Sequence, residues 1–413
     1  MRIAILGYGQ EGHSVEAYFR PRGADLTIFD PVTPADLKTQ DFSAYDLVFR
    51  SPSVPPLGDW TSITQYFFAH SPARIIGVTG TKGKGTTCSL IRDLLTALGH
   101  KVWLVGNIGQ PALDVLDQIQ PDDLVVYELS SFQLWDLQRS PHIAVILHIE
   151  PDHLNVHRDY ADYLAAKSNI ARHQEPTDTC IYYALNPDST KLGHTSPGHQ
   201  IPYPITTDRT QLNQLLDRLA IPGQHNRENA EAALLAVAAE LGLTLAEFLA
   251  AHAAEITTAF ANFQGLPHRL QYLRDFHGVK YYDDNFSTNL SSTQVALAAF
   301  PEQPLVLIAG GRDKTDNQDL PDLARLFTAT PNLRHLVLIG ESGRALAPLL
   351  PAELYTLAPD LQSAVSLARQ HAEALVAPAV TPIVLMSPAA ASFDMFQNVY
   401  DRGAKFQNLV NSF

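Results

Sequence analysis

The sequence predicts an α/β protein built of three domains. Short apolar, strand-like runs alternate with longer amphipathic stretches along the whole chain, and the alternation restarts twice after Gly- and Pro-punctuated stretches. Two of the runs open into glycine-rich loops, Gly7–Gly12 and Gly77–Thr87. With 413 residues the chain has room for about two to four domains, each with its own core. Apolar residues make 46% and charged residues 17%, a balance that argues against long disorder. Forty-three acids against 29 bases leave a net charge of −14, with no run of Lys or Arg, so the electrostatic footprint of a nucleic-acid binder is missing. The two cysteines, Cys88 and Cys180, make neither a disulfide framework nor a zinc cluster. The opening MRIAILGYG is too short an apolar stretch for a signal peptide, and no run of about 18 apolar residues follows. A soluble, cytoplasmic protein with no membrane partner is expected.

Taken in order, Arg2–Leu6, Leu26–Phe29 and Leu47–Phe49 read as strands of a small first unit, closed by the Pro-rich stretch Ser51–Asp59. A second unit follows with strands at Arg74–Val78, Val102–Val105, Leu124–Glu128 and Ile143–Ile149. Thr177–Pro204, rich in Pro, Thr, Asp and His, reads as strands and loops rather than helix. Asn226–Leu241 and Thr244–Ala259 read as helices, and Gly265–Pro267 punctuates the chain as a hinge. The last unit repeats the alternation, with strands at Val279–Tyr282, Leu305–Ala309, Leu336–Ile339 and Ile383–Met386. The predicted domains are therefore 1–72, 73–265 and 266–413, with no internal repeat.

Gly77-Val-Thr-Gly80-Thr-Lys-Gly83-Lys84-Gly85-Thr86-Thr87 follows a strand and precedes a helix placed near Thr87. Glycines let successive backbone N–H groups face one anion, the helix N-terminus adds partial positive charge, and Lys84 in the loop reaches the β- and γ-phosphates. The standard form places Ser or Thr directly after the Lys; here Gly85 intervenes, so Thr86 is the hydroxyl left to serve Mg²⁺. Glu128 ends the strand of Val125-Val-Tyr-Glu128-Leu-Ser-Ser-Phe-Gln133, beside the phosphate-loop strand, where open α/β sheets gather ligands. A carboxylate there suits Mg²⁺, although a Glu at a strand end is also a common solvated residue. His148-Ile-Glu150-Pro-Asp152-His153-Leu-Asn155-Val-His157 falls on the same rim, and its three His and two acids fit either a metal site or a polar surface loop. Lys167 lies in a following helix.

Gly7-x-Gly9-x-x-Gly12 with Asp30 eighteen residues after Gly12 is a dinucleotide-type fingerprint. The phosphate-loop strand starts at Arg74, which leaves half of a nicotinamide domain, so a small nucleotide-diphosphate site fits better than a redox cofactor. The fold class is thus a small N-terminal Rossmann-like unit, a central P-loop domain with a parallel sheet, and a C-terminal Rossmann-like α/β domain.

Together these motifs resemble the Mur ligase family of ATP-dependent amide-bond synthetases over nearly the whole chain. Further family segments in order are Gly106-Asn107-Ile-Gly109, His225-Asn226-x-x-Asn229, Pro267-His268-Arg269, Asp284-x-x-x-Thr288-Asn289, Gly310-Gly311-x-x-Lys314 and Ser387-Pro-Ala-Ala-Ala-Ser392-Phe-Asp. The resemblance implies that Gly80, Thr81, Lys82, Gly83, Lys84, Gly85, Thr86 and Thr87 cradle ATP, with Asn229, Arg269 and Asp284 also on the nucleotide. It implies two Mg²⁺ sites, one on Thr86 and Glu128 and one on His153 and a carbamylated Lys167. A UDP group would lie on Gly7, Gly9, Gln10, Glu11, Gly12, Asp30 and Ser51, with Asn107 contributing from the next domain. Thr288, Lys314 and Ser392 would receive the incoming amino acid, with His268 a candidate helper. The implied activity joins glutamate, the D form favoured, to UDP-N-acetylmuramoyl-L-alanine through an acyl phosphate, in a monomeric enzyme whose third domain closes on ATP. An L-glutamate-adding muramyl ligase and a folylpolyglutamate synthase-like ligase are the alternatives. Departures from the family pattern are Gly85, which resembles the folylpolyglutamate synthases; His148, Glu150 and Asn155 around His153; Phe286 at a position usually Lys; and Val399 at a position usually Phe.

Overall fold

The computed structural model of the chain describes residues 1–31, 33–313 and 318–413. Its strands form three sheets. The first unites β1 (Arg2–Leu6), β2 (Asp25–Phe29), β3 (Leu47–Arg50) and β4 (Thr61–Ser62) in the order β2-β1-β3-β4, all parallel. The second unites β5 (Arg74–Thr79), β6 (Val102–Gly106), β7 (Leu124–Glu128), β8 (Ile143–Ile146), β9 (Thr179–Tyr183) and β10 (His199–Tyr203) in the order β10-β9-β8-β5-β7-β6, again all parallel. The third unites β11 (Gln271–Phe276), β12 (Val279–Asp283), β13 (Leu305–Gly310), β14 (Leu333–Ile339), β15 (Tyr355–Leu357) and β16 (Ile383–Met386) in the order β11-β12-β16-β13-β14-β15. Among the described strands only β11 runs antiparallel, paired with β12 across a two-residue turn at His277 and Gly278, both with positive φ. The α/β class and its three domains hold.

The physical cause is the one that made the strands legible. A parallel strand needs a crossover that covers its faces, so central strands become continuous apolar runs. Ile76, Val78, Val125, Val126 and Val145 have no exposed surface. Two compact units emerge, one of Met1–Arg218 with Arg227–Ala261, the other of Leu219–Asn226 with Asn262–Phe413. Among the described residues no single helix is long and apolar enough to cross a membrane.

Besides β4, β11 and β15, strands that the sequence does not announce, three segments differ from expectation. Thr177–Pro204 holds a helix, Pro187–Gly193, between β9 and β10. Its start is chemically explicit: Asn186 Oδ1 accepts from Ser189 N at 2.8 Å, and Pro187 occupies the first turn. Thr244–Ala259 is two helices, Leu245–Ala251 and Ala253–Asn262, separated at His252. The helix after the phosphate loop begins at Lys84, three residues before the expected point, capped by Gly83 in the left-handed region at φ 85°.

Candidate active site

The phosphate loop leaves the carboxyl end of β5, the strand flanked by β8 and β7. Two of its glycines are required sterically. A Cβ on Gly80, at φ 156°, would lie 2.7 Å from Leu147 Cβ, and one on Gly83 would lie 2.4 Å from Asn229 Oδ1. Asn229, on the helix Gln224–Glu240, therefore abuts the loop directly. The loop is tied to the segment after β8: Thr81 N donates to His148 O at 2.9 Å, and Thr81 Oγ1 meets Glu150 N, Glu150 O and the Tyr163 hydroxyl at 2.9–3.0 Å. Lys82 pairs with Glu150 at 2.8 Å.

Two lysines converge on one carbonyl. Lys84 Nζ donates to Gly80 O at 3.0 Å and to Thr81 O at 3.1 Å, while Lys167 Nζ donates to Gly80 O at 3.1 Å and to Thr79 Oγ1 at 3.3 Å. Lys167 comes from the helix Tyr160–Ser168 and is only 2% exposed, its ammonium 4.9 Å from the centre of the Tyr163 ring. Burial, reinforced by Lys84, pushes its amine well below the usual lysine range, against the opposing pull of Asp152 and Glu128. Glu128, buried at the end of β7, accepts from Asn107 Nδ2 at 2.9 Å. Asn107 is thus engaged with a carboxylate of its own sheet, although the sequence reading gave it to a UDP group. The Thr87 hydroxyl is buried without a partner, and Thr86, the hydroxyl expected to serve Mg²⁺, is nearly buried one residue earlier.

The His-rich segment does not converge on a metal position. His157 is buried with both ring nitrogens taken, Nδ1 by Asp162 at 3.1 Å and Nε2 by Ser131 at 3.0 Å, and its ring stacks on Phe132. His148 faces Glu150, whereas His153 stands half-exposed at positive φ beside Asp152 and Phe132. Of the three imidazoles only His157 is buried; the side chains of His148 and His153 are each about half exposed. Among the described residues no three His, Cys, Asp or Glu side chains are grouped to hold a metal. The oxygen donors of the kind a hard cation takes are the Glu128 carboxylate at the end of β7 and the Thr86 hydroxyl in the first turn of the helix Lys84–Ala97.

In the N-terminal sheet, Gly7 has φ 82° and Ser51 Oγ donates to its carbonyl at 2.6 Å. Ser51 is buried and shapes the loop, rather than standing open to a ligand as expected. A Cβ on Gly12 would lie 2.6 Å from Gly7 O, so the helix Gln10–Phe19 approaches the turn as closely as the fingerprint requires. Gly9 and Gln10 are exposed at its start, and Asp30 holds Tyr8 N at 3.1 Å. Glu11 turns inward: one oxygen accepts from Gln133 at 3.0 Å, the other is buried without a partner. Burial pushes this carboxyl up to about 7 against the hydrogen bond from Gln133 and the field of Arg50. Arg50, unmarked in the sequence, is fully buried and forks onto Asp136, Val54 O and Phe132 O.

In the C-terminal unit, Arg269 is exposed with its guanidinium 5.4 Å from the centre of the Phe286 ring. Asp284, expected on the nucleotide, is buried: Oδ1 accepts from Leu270 N at 3.1 Å and Oδ2 from Ser387 Oγ at 2.8 Å. Its carboxylate holds the backbone next to Arg269. His268 Nδ1 pairs with Asp283 at 2.7 Å. Thr288 is half-buried, Ser392 is buried with an unpartnered hydroxyl, and Lys314 lies outside the described residues. Burial raises the Asp284 carboxyl from 3.8 to about 7, against hydrogen bonds from Ser287, Ser387 and Leu270 N and the nearby Arg269. An acid whose folded value exceeds its unfolded value binds extra protons when folded, so stability falls as pH rises through that window. Asp284→Asn should remove this slope. Thermal midpoints measured between about pH 5 and pH 8 should fall several degrees further in the parent than in the variant; equal slopes would exclude a buried neutral Asp284.

A phosphate loop on the central strand, with a carboxylate and a buried lysine on the same rim, defines a P-loop nucleotide-dependent enzyme. Residues 78–212 match the family model described as the Mur ligase middle domain. A UDP-N-acetylmuramoylalanine–D-glutamate ligase of Acetivibrio thermocellus is 30% identical to the chain, with 100% of this chain and 96% of that protein covered. A ligase of the same name from Streptococcus agalactiae serotype III is 35% identical, with 83% and 75% covered. UDP-N-acetylmuramate-alanine ligase from Thermotoga maritima shares the fold, with a TM-score of 0.61 at 17% identity, covering 100% of this chain and 99% of that one. The chain belongs to the Mur ligase family of ATP-dependent amide ligases.

Proposed function

We propose that the chain, as a cytoplasmic monomer, joins D-glutamate to UDP-N-acetylmuramoyl-L-alanine with conversion of ATP to ADP and phosphate, in peptidoglycan precursor synthesis. The observation that carries the reading is the convergence of Lys84, Glu128 and buried Lys167 at the carboxyl ends of β5 and β7, in a chain matched over its whole length by D-glutamate ligases. The reaction brings two anions together, a carboxylate and a triphosphate. Loop amides from Gly80 to Thr87 and the Lys84 ammonium take the phosphates and neutralise charge as the γ-phosphoryl passes to the alanyl carboxylate. Two Mg²⁺ ions, one on Glu128 and Thr86 and one on His153 and a carbamylated Lys167, would supply the remaining charge neutralisation when bound. The amino group of glutamate then attacks the acyl carbon and phosphate leaves. Residues 1–72 hold the UDP group at the exposed start of the helix Gln10–Phe19, residues 73–265 hold ATP, and residues 266–413 bring Arg269 to the nucleotide and Thr288, Lys314 and Ser392 to glutamate.

The test measures phosphate release from ATP with the muramyl substrate and D-glutamate, L-glutamate or a folate acceptor in parallel. D-Glutamate should be used at least about tenfold faster than its enantiomer, the factor that ~1.4 kcal/mol of one misplaced carboxylate contact yields. Faster reaction of L-glutamate would overturn the stereochemical part, and turnover confined to folate would overturn the reading.

A further inference from the structure

Arg402, in the helix Val399–Asn411, has no exposed surface. Its guanidinium nevertheless makes no ion pair within 4 Å among the described residues. Nε donates to Asn285 Oδ1 at 2.5 Å and NH2 to Asn285 O at 3.1 Å. NH1 donates to Ala390 O at 3.0 Å and Ala391 O at 3.2 Å. A third loop reaches the same group, since a Cβ on Gly311 would lie 3.1 Å from Arg402 NH1. These loops leave the carboxyl ends of β12, β16 and β13, which are adjacent in the sheet. They are also cross-linked to each other: Ala389 N donates to Ser287 O at 2.9 Å, and Arg312 N to Ala391 O at 2.8 Å.

The charge neighbours are committed elsewhere. Asp283 is engaged by His268 and Gln407, and Asp394 accepts from Glu341 N at 2.9 Å. A buried cation bonded only to neutral oxygens is costly, and its planar fork of donors is what lets one side chain fix several carbonyls at once. In the same loop, just after Ala391, the Ser392 hydroxyl is buried and without a partner, as is Asp394 Oδ1.

We propose that Arg402 is a positioning residue for the incoming amino acid, fixing the three loops that carry Thr288, Ser392 and Gly310–Arg312 and biasing the rim they form toward a carboxylate. This rests on the ligase reading above. Burial lowers the guanidinium only to about 10, so the charge persists at neutral pH. Arg402→Lys keeps the charge but loses the fork; Arg402→Met loses both.

The experiment compares steady-state phosphate release by parent, Arg402→Lys and Arg402→Met across glutamate and ATP concentrations. KM for glutamate should rise about tenfold or more in Arg402→Met and by less in Arg402→Lys, while kcat and KM for ATP stay within about threefold. If Arg402→Met does not fold, Arg402→Lys decides, because a raised glutamate KM at unchanged kcat supports the role. An unchanged glutamate KM in Arg402→Lys, or a uniform loss in kcat and both KM values, overturns it. A parent enzyme with no glutamate-dependent phosphate release would instead overturn the ligase reading, and this role with it.

Discussion

Lys84→Ala is expected to lower phosphate release about a thousandfold or more while leaving the fold intact. The loss is large because the ammonium is the loop's point charge on the transferring phosphoryl group, and preorganised charge in such sites is worth about 10²–10³ per donor. The fold should survive because Lys84 is the half-buried first residue of its helix, and its side chain gives hydrogen bonds to the Gly80 and Thr81 carbonyls. Those carbonyls can turn to water at a net cost of about 1 kcal/mol each. Alanine is also a good helix former. Phosphate release and a thermal melt on the same preparation check both halves. Near-parental turnover would remove Lys84 from the phosphates, and an unfolded variant would give it a structural role.

What the sequence made readable follows from which residues have one physical job. The apolar runs that became β1, β5, β7 and β16 are buried on both faces, so composition alone defines them. Gly80 and Gly83 were legible because only glycine fits where Leu147 and Asn229 press on the loop. Glu128 stood out as an acid ending an apolar strand. The segments that escaped are those whose signal is short or shared. β11 is half-buried and pairs antiparallel through His277-Gly278, a two-residue turn whose glycine was there to be read. The helix Pro187–Gly193 announces itself by Asn-Pro, but the Pro and His around it read equally well as loop. β4 and β15, of two and three residues, are too short to show a period.

Polar residues are harder, because their type does not say which way they point. His157, in a segment that fitted either a metal site or a polar surface loop, is a satisfied core histidine between Asp162 and Ser131. Asp284 lies in a family segment and Ser51 was expected at the UDP group, yet both hold backbone, while Asn107 holds Glu128. Arg50 and Arg402 had no motif at all. Each nevertheless organises loops by filling carbonyl oxygens that no apolar side chain could satisfy. Such residues become visible only when the loops they join are seen together.

Lys167→Ala is expected to lose at least about a hundredfold in activity and to regain part of it when a short carboxylate such as acetate is added. The structure supplies the chemistry for a carbamate. The Lys167 amine sits under the phosphate loop, buried beside the Tyr163 ring and facing Lys84 across the shared Gly80 carbonyl. Both burial and the second cation disfavour its charged form and so favour the neutral amine that adds CO₂. In that step the neutral nitrogen forms a bond to carbon as one C–O π bond of CO₂ opens onto oxygen, and the nitrogen releases one proton to solvent, so a neutral amine becomes an anion with two oxygens. The exchange suits Mg²⁺, which takes carboxylate-like oxygens and would be repelled by an ammonium. It also relieves the like-charge contact with Lys84. Ala165 and Ala166, on the same helix turn, add little bulk around the lengthened side chain. Acetate in the alanine variant would restore the oxygens without the covalent link, which separates a ligand role from simple loss of packing. Carbon-13 bicarbonate should label the parent and leave Lys167→Ala unlabelled. An unmodified ammonium at Lys167 in a Mg²⁺-loaded crystal at neutral pH would rule the carbamate out.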